Sequence, residues 1–130
     1  MEQVLCYFPS QSDPRLTAIG CALLPLRLRL RTADPEQTGQ KVGFLLGRKD
    51  FEASEGEAPA VTDPILILDG LSEPRFDAVL RALAKTKASR TVYKAVATAT
   101  NVDWTLYALW RELQKEREAL ERGETPVHQK

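Results

Sequence analysis

Histidine and cysteine are nearly missing from this chain, with one histidine, His128, and two cysteines, Cys6 and Cys21, among 130 residues. A zinc site needs several such ligands at close spacing, and Ser-His or Cys-His catalysis needs a base beside its nucleophile. Neither pattern occurs, so no metal and no catalytic residue is expected. Cys6 falls in an apparent strand and Cys21 in an apparent helix, which reads as two buried free thiols rather than a disulfide. Long apolar runs are lacking too: the longest reach about five residues, against the roughly 20 that a membrane-crossing helix requires. Met1-Glu2-Gln3 opens the chain without a basic segment leading into a hydrophobic one, and the expected location is the cytoplasm. Eighteen basic and eighteen acidic residues cancel, so the total charge draws the chain toward neither nucleic acid nor an anionic membrane. No glycine-rich phosphate fingerprint follows a strand, and no cofactor is expected.

What is present is a succession of short elements. Val4-Leu5-Cys6-Tyr7-Phe8 is continuously apolar, as suits a strand covered on both faces. Ser12-Asp13-Pro14 caps a first helix that carries Leu16, Ile19 and Leu23 and ends before Pro25. Leu26 to Arg31 alternates strictly and predicts an edge strand with its leucines inward and its arginines outward. Asp34-Pro35-Glu36-Gln37 starts a second helix with a capping box, buried through Thr38, Val42, Leu45 and Leu46 and closed at Gly47. Residues 50–63 hold Glu52, Glu55, Glu57 and Asp63 and no cation after Asp50, and read as a mobile acidic linker. Ile65-Leu66-Ile67-Leu68 predicts a second central strand, turned at Asp69-Gly70. Ser72 caps a third helix on Phe76, Val79, Leu80 and Leu83. Residues 91–98 suit a flanking strand. A fourth helix starts near Asn101 or Asp103, carries Leu106, Leu109, Trp110, Leu113 and Leu120, and stops at Gly123. Residues 124–130 read as a disordered tail.

Offsetting the chain by 60 residues lays Ser12, Pro14, Arg15, Ala18, Ala22 and Leu23 on Ser72, Pro74, Arg75, Ala78, Ala82 and Leu83, six identities in twelve positions. The natural account is one α/β domain over residues 1–123 with a duplicated strand–helix–strand–helix unit, residues 4–47 and 65–122. Two apolar and two mixed strands predict a four-stranded, mostly parallel sheet in the order 2-1-3-4. Right-handed crossovers then put helices one and four on one face, helices two and three on the other, and a two-fold axis parallel to the strands. The competing arrangement is a ferredoxin-like α+β antiparallel sheet with extra helices, in which helices one and three share a face.

Such a parallel sheet would place ligands beyond the ends of strands one and three, with Ser10 in one loop and Asp69 and Gly70 in the other. Both loops enter helix N-termini that could hold an anion. Arg27, Arg29 and Arg31 recur at about 7 Å along one side of an edge strand, which could grip an acidic partner or simply keep the edge soluble. No aromatics interleave with them, so nucleic-acid binding is not favoured.

Lys94-Ala95-Val96-Ala97-Thr98-Ala99-Thr100-Asn101-Val102-Asp103-Trp104-Thr105 stands out as a signature. Preceded by Ile67-Leu68-Asp69-Gly70-Leu71-Ser72 and followed by Leu106, Leu109 and Leu113, it resembles the bacterial family termed domain of unknown function 3783. That family's pattern is Lys-Ala-Val-x-Thr-x-Thr-Asn-x-x-Trp-Thr before a leucine-rich helix. The resemblance covers residues 64–115, and Gly43-Phe44-Leu45-Leu46-Gly47 has a similar flavour. It implies a bacterial source and a shared fold, and it supplies no activity. Thr98 and Asn101 can be a strand-to-helix turn, or with Lys94 the rim of a pocket for an anionic ligand. The function expected from all this is a non-enzymatic binding, regulatory or protein-interaction module, with Trp110 and the fourth helix docking a partner or a second copy. The alternative is a small-molecule binder or enzyme that uses the strand-end loops.

Overall fold

The computed structural model describes residues 2–123; the tail expected at 124–130, with His128, lies outside them. Four strands, β1 (Gln3–Tyr7), β2 (Arg29–Ala33), β3 (Ile65–Asp69) and β4 (Tyr93–Val96), form one sheet in the order β2-β1-β3-β4. Four helices, α1 (Pro14–Leu23), α2 (Val42–Leu45), α3 (Glu73–Ala84) and α4 (Leu106–Glu121), cover its two faces. The order, the class and the coverage are those expected from sequence. As anticipated, β1 and β3 are buried along nearly their whole length.

The direction of the second half differs. β1 pairs parallel with β2, and β3 pairs parallel with β4, but β1 and β3 are antiparallel, with Leu5 opposite Ile67 and Gln3 opposite Asp69. The cause is the path between β2 and β3. After Ala33 the chain descends one face through α2, then turns back near Arg48 and climbs the same face to enter β3 at the end where β2 left off. Gln3, at the start of β1, bonds the carbonyl of Leu46 on the descent, while Tyr7, at the end of β1, donates to the carbonyl of Val61 on the ascent. Two passes cancel, so β3 runs opposite to β1.

One consequence is that α1 and α3 share a face. Ile19 and Leu23 of α1 and Val79 and Leu83 of α3 pack with Val4, Cys6, Phe8, Leu66 and Leu68. On the other face Val42 and Leu45 of α2 and Leu106, Leu109 and Trp110 of α4 pack with Leu5, Tyr7, Ile65 and Ile67. The expected grouping of helix two with helix three is therefore replaced by one with four. Because the central strands oppose each other, with Leu5 opposite Ile67 at the middle of the pairing, no axis along the strands relates the two halves.

The ascending segment, residues 50–63, is not a loose linker. Gln40 exchanges two hydrogen bonds with the backbone of Ser54, at 2.7 and 2.9 Å, and Thr38 donates to the carbonyl of Pro59 at 2.6 Å. Phe51 packs against the core, and glycines make room for the second pass. A side chain at Gly43 would strike the ring of Phe51, and one at Gly39 would strike the carbonyl of Glu57. That crowding also explains why the expected second helix is split. Asp34 and Gln37 form the anticipated capping box, but over a short 3-10 turn, Pro35–Gln37, and α2 is a single turn that starts afresh at Val42.

Other boundaries move for local reasons. Asp13, not Ser12, caps α1, its carboxylate accepting from the Arg15 amide, while Ser72 caps α3 as expected. Thr105 caps α4, because Asn101–Asp103 forms a separate 3-10 turn before it. β2 begins two residues past Arg27, which closes a 3-10 turn in the left-handed conformation at φ 55°. No helix among the described residues is long and apolar enough to cross a membrane.

Candidate functional site

The antiparallel centre separates the residues expected to form a strand-end site. Ser10 follows β1 at one end of the sheet, exposed, with its hydroxyl on that of Ser12. Asp69 ends β3 and Gly70 follows it at the other end of the sheet. A crevice of the doubly wound type needs both central strands to end together, so this sheet builds none between those loops.

The signature residues likewise do not converge. The amide of Thr98 donates to the side-chain oxygen of Asn101 at 2.8 Å, the Thr98 hydroxyl accepts from the Asn101 amide at 3.0 Å, and Asn101 Nδ2 donates to the carbonyl of Val96 at 2.9 Å. Asn101 is buried, and these bonds use it to close the turn that carries β4 toward α4. Lys94 points toward the opposite end of β4. Its ammonium donates to the carbonyls of Ser89, at 2.6 Å, and Val92, at 3.3 Å. Burial, and secondarily the nearby charge of Arg117, lower its pKa.

Of the residues expected to meet a partner, Trp110 and Arg31 are engaged within the chain. Trp110 is 8% exposed and belongs to the core, and its indole donates to Asp63 Oδ2 at 2.9 Å. It holds the chain's own ascending segment through Asp63. Arg27 precedes β2, Arg29 is exposed on it, and Arg31 turns inward to donate to the side-chain oxygen of Gln3 at 2.7 Å. The three therefore do not form one row. Leu30, expected inside, is 42% exposed because β2 is an edge that α1 covers only in part.

Arg31 leads to a polar cluster that sequence reasoning missed. Gln3 is 4% exposed. Its amide donates to the carbonyl of Leu46 at 3.0 Å and to Asp69 Oδ2 at 2.8 Å, and Asp69 Oδ1 accepts from Arg48 at 3.1 Å. Arg31, Gln3, Asp69 and Arg48 thus form a continuous chain that ties the turn after α2 to the middle of the sheet. Every member comes from a different segment, so no local pattern could disclose it. The cluster is internally satisfied and carries a structural role: among the described residues no buried side-chain polar atom lacks a partner, and no group of acids, cysteines or histidines could hold a metal ion.

One open surface is the outer side of the α1/α3 layer. Between these helices runs a cavity of about 630 Å³, floored by Ala18 and Ala22 from α1 and by Ala78 and Ala82 from α3. Pro25 and Leu26 line it as well, and Arg81 and Lys85 stand at its edge. The four alanines are half-buried, whereas both cations are exposed. The groove exists because alanine stands where a larger residue would have closed the seam between two neighbouring helices. A signal for it was in the sequence: Ala18 and Ala22 coincide with Ala78 and Ala82 at the 60-residue offset.

Cys21 opens into this groove and is exposed, contrary to the expectation of two buried thiols; Cys6 is buried, which pushes its pKa up to about 11. Because the thiolate is the reactive form, a thiol reagent should modify one cysteine per native chain promptly and the second only on unfolding. Peptide mapping should place the first adduct on Cys21. Two equally fast thiols would contradict this packing.

No curated protein and no solved structure matches the chain. A family model, described as Domain of unknown function (DUF3783), matches residues 64–120, which take in β3, α3, β4 and nearly all of α4. The strand, helix and Thr-Asn turn that those residues build are the part of this chain that matches the DUF3783 family.

Proposed function

We propose that this chain is a non-enzymatic binding module whose α1/α3 groove receives a segment of another protein. The observation that carries the reading is the open seam itself. Apolar surface that its own fold leaves uncovered costs free energy at roughly 25 cal/mol per Å², and a third element laid between two helices would recover it. Ridges of one helix pack into grooves of its neighbours, so a floor of small residues supports close approach by a partner's larger ones. Among the described residues, α2, α4 and residues 50–63 cover the opposite face.

A photo-crosslinking amino acid tests this, placed at Ala22 in the groove and, for comparison, at exposed Glu118 on α4, in the cell that makes the protein. The expected result is a discrete adduct from position 22 that disappears when Ala82→Trp fills the groove, with none from position 118. Equal adducts from both positions, adducts insensitive to Ala82→Trp, or no adduct at all would overturn the reading.

A further inference from the structure

Charge is distributed unevenly in a way that the overall balance conceals. Residues 78–102 hold Arg81, Lys85, Lys87, Arg90 and Lys94 and no acidic residue, and residues 14–33 hold four arginines and no acidic residue. These two runs contain all of α1, most of α3 and the turns that follow them. The compensating carboxylates collect elsewhere, notably Glu52, Glu55, Glu57 and Asp63 in the ascending segment, which lies against the opposite face of the sheet.

The rim of the groove samples the basic part of this distribution. Arg81 on α3 and Lys85, which caps its C-terminal end, line the cavity, and both are exposed. Among the described residues neither makes an ion pair or a side-chain hydrogen bond. Elsewhere on these two helices the cations are matched: Arg15 is paired with Asp13 at 2.7 Å, and Arg75 with Glu2 at 3.0 Å. The unmatched pair is thus the one beside the apolar floor. Charges of one sign bordering an apolar cleft attract and orient a ligand of the other sign.

We infer that the occupant of the groove is an acidic amphipathic helix of a partner protein. Its apolar stripe, repeating every three to four residues, would lie on Ala18, Ala22, Ala78 and Ala82, while carboxylates on one flank would meet Arg81 and Lys85. An extended segment would leave unpaired backbone groups against this floor, since two helices present no free strand edge to it; a helix satisfies its own backbone. The inference rests on the proposed docking function and adds the chemistry of the partner to it.

A displayed library of random peptides, selected against the full chain, tests both and tells them apart. The expected outcome is enrichment of net-negative sequences with apolar residues at three- and four-residue spacing. Their synthetic versions should lose at least tenfold in affinity when Arg81→Glu and Lys85→Glu are combined, weaken as salt is raised, and lose binding with Ala82→Trp. Enriched peptides that are neutral or basic yet still lose binding with Ala82→Trp would overturn the acidic helix and leave the docking function standing. Peptides indifferent to Ala82→Trp, or no enrichment, would overturn both. A single-stranded RNA oligonucleotide serves as a parallel probe. If it binds, and the two charge reversals abolish that binding while no acidic peptide is selected, the basic rim serves nucleic acid and the inference fails.

Discussion

Trp110→Ala should lower the unfolding free energy by about 3–5 kcal/mol, the usual cost of truncating a buried tryptophan, and should open residues 50–63 to proteolysis. Trp110 sits among Tyr7, Ile65 and Leu106 in the core and also fastens Asp63 through its indole N–H. The ascending segment has little apolar burial of its own beyond Phe51 and Val61, so it depends on such ties. A large share of a typical domain's 5–15 kcal/mol would be at stake, and Trp110→Phe therefore provides the second measurement. It keeps most of the packing and should cost about 1 kcal/mol for the lost hydrogen bond. Combined with Asp63→Ala it should cost less than the sum of the two single changes. Denaturant unfolding and limited proteolysis read both effects. A loss below 1 kcal/mol for Trp110→Ala, with the segment still resistant, would show that residues 50–63 are not held as described.

Gln3→Leu should be nearly as damaging despite the similar size of the two side chains, at about 3 kcal/mol. Leucine would leave the carbonyl of Leu46, Asp69 Oδ2 and Arg31 Nε without the partner that each has now. The cost of a buried polar group stripped of its partner exceeds the net worth of the bond itself. Asp69→Asn removes the carboxylate charge that Gln3→Leu strands, so the double variant should lose less than the two changes added together. Additive losses, or a neutral Gln3→Leu, would mean that the cluster is solvated and contributes little.

Much of this fold could be read from residues. Continuous apolar runs marked β1 and β3 as central, alternation marked β2 as an edge, and Ser72 marked the start of α3. Direction could not be read. An apolar run such as Ile65-Leu66-Ile67-Leu68 looks the same whichever way it points, and crossover handedness constrains topology only when the strands it joins are parallel. The chain between Ala33 and Ile65 reversed its path through contacts distant in sequence, among them Gln40 with Ser54, Thr38 with Pro59 and Tyr7 with Val61. None leaves a local trace.

The same gap misdirected the search for a site. Ser10, Asp69 and Gly70 were candidates only in a parallel sheet, and Trp110 looked available for a partner because its apolar stripe does not say what covers it. Lys94, Thr98 and Asn101 form a memorable string, but their hydrogen bonds turn inward to local backbone groups. The groove had traces in sequence, both in the repeated alanines and in the acid-free runs. Those traces acquired meaning only when α1 and α3 were found side by side.

The groove exists only if β1 and β3 oppose each other, since a parallel pair would have sent α3 to the far face. Backbone nuclear Overhauser contacts between these strands, in isotopically labelled protein, measure that directly. The expected contacts link Val4 to Leu68 and Cys6 to Leu66, symmetrically about Leu5 and Ile67. Contacts linking Gln3 to Ile65 and Tyr7 to Asp69 would instead establish a parallel centre, and α1 and α3 would no longer share the surface on which the docking site depends.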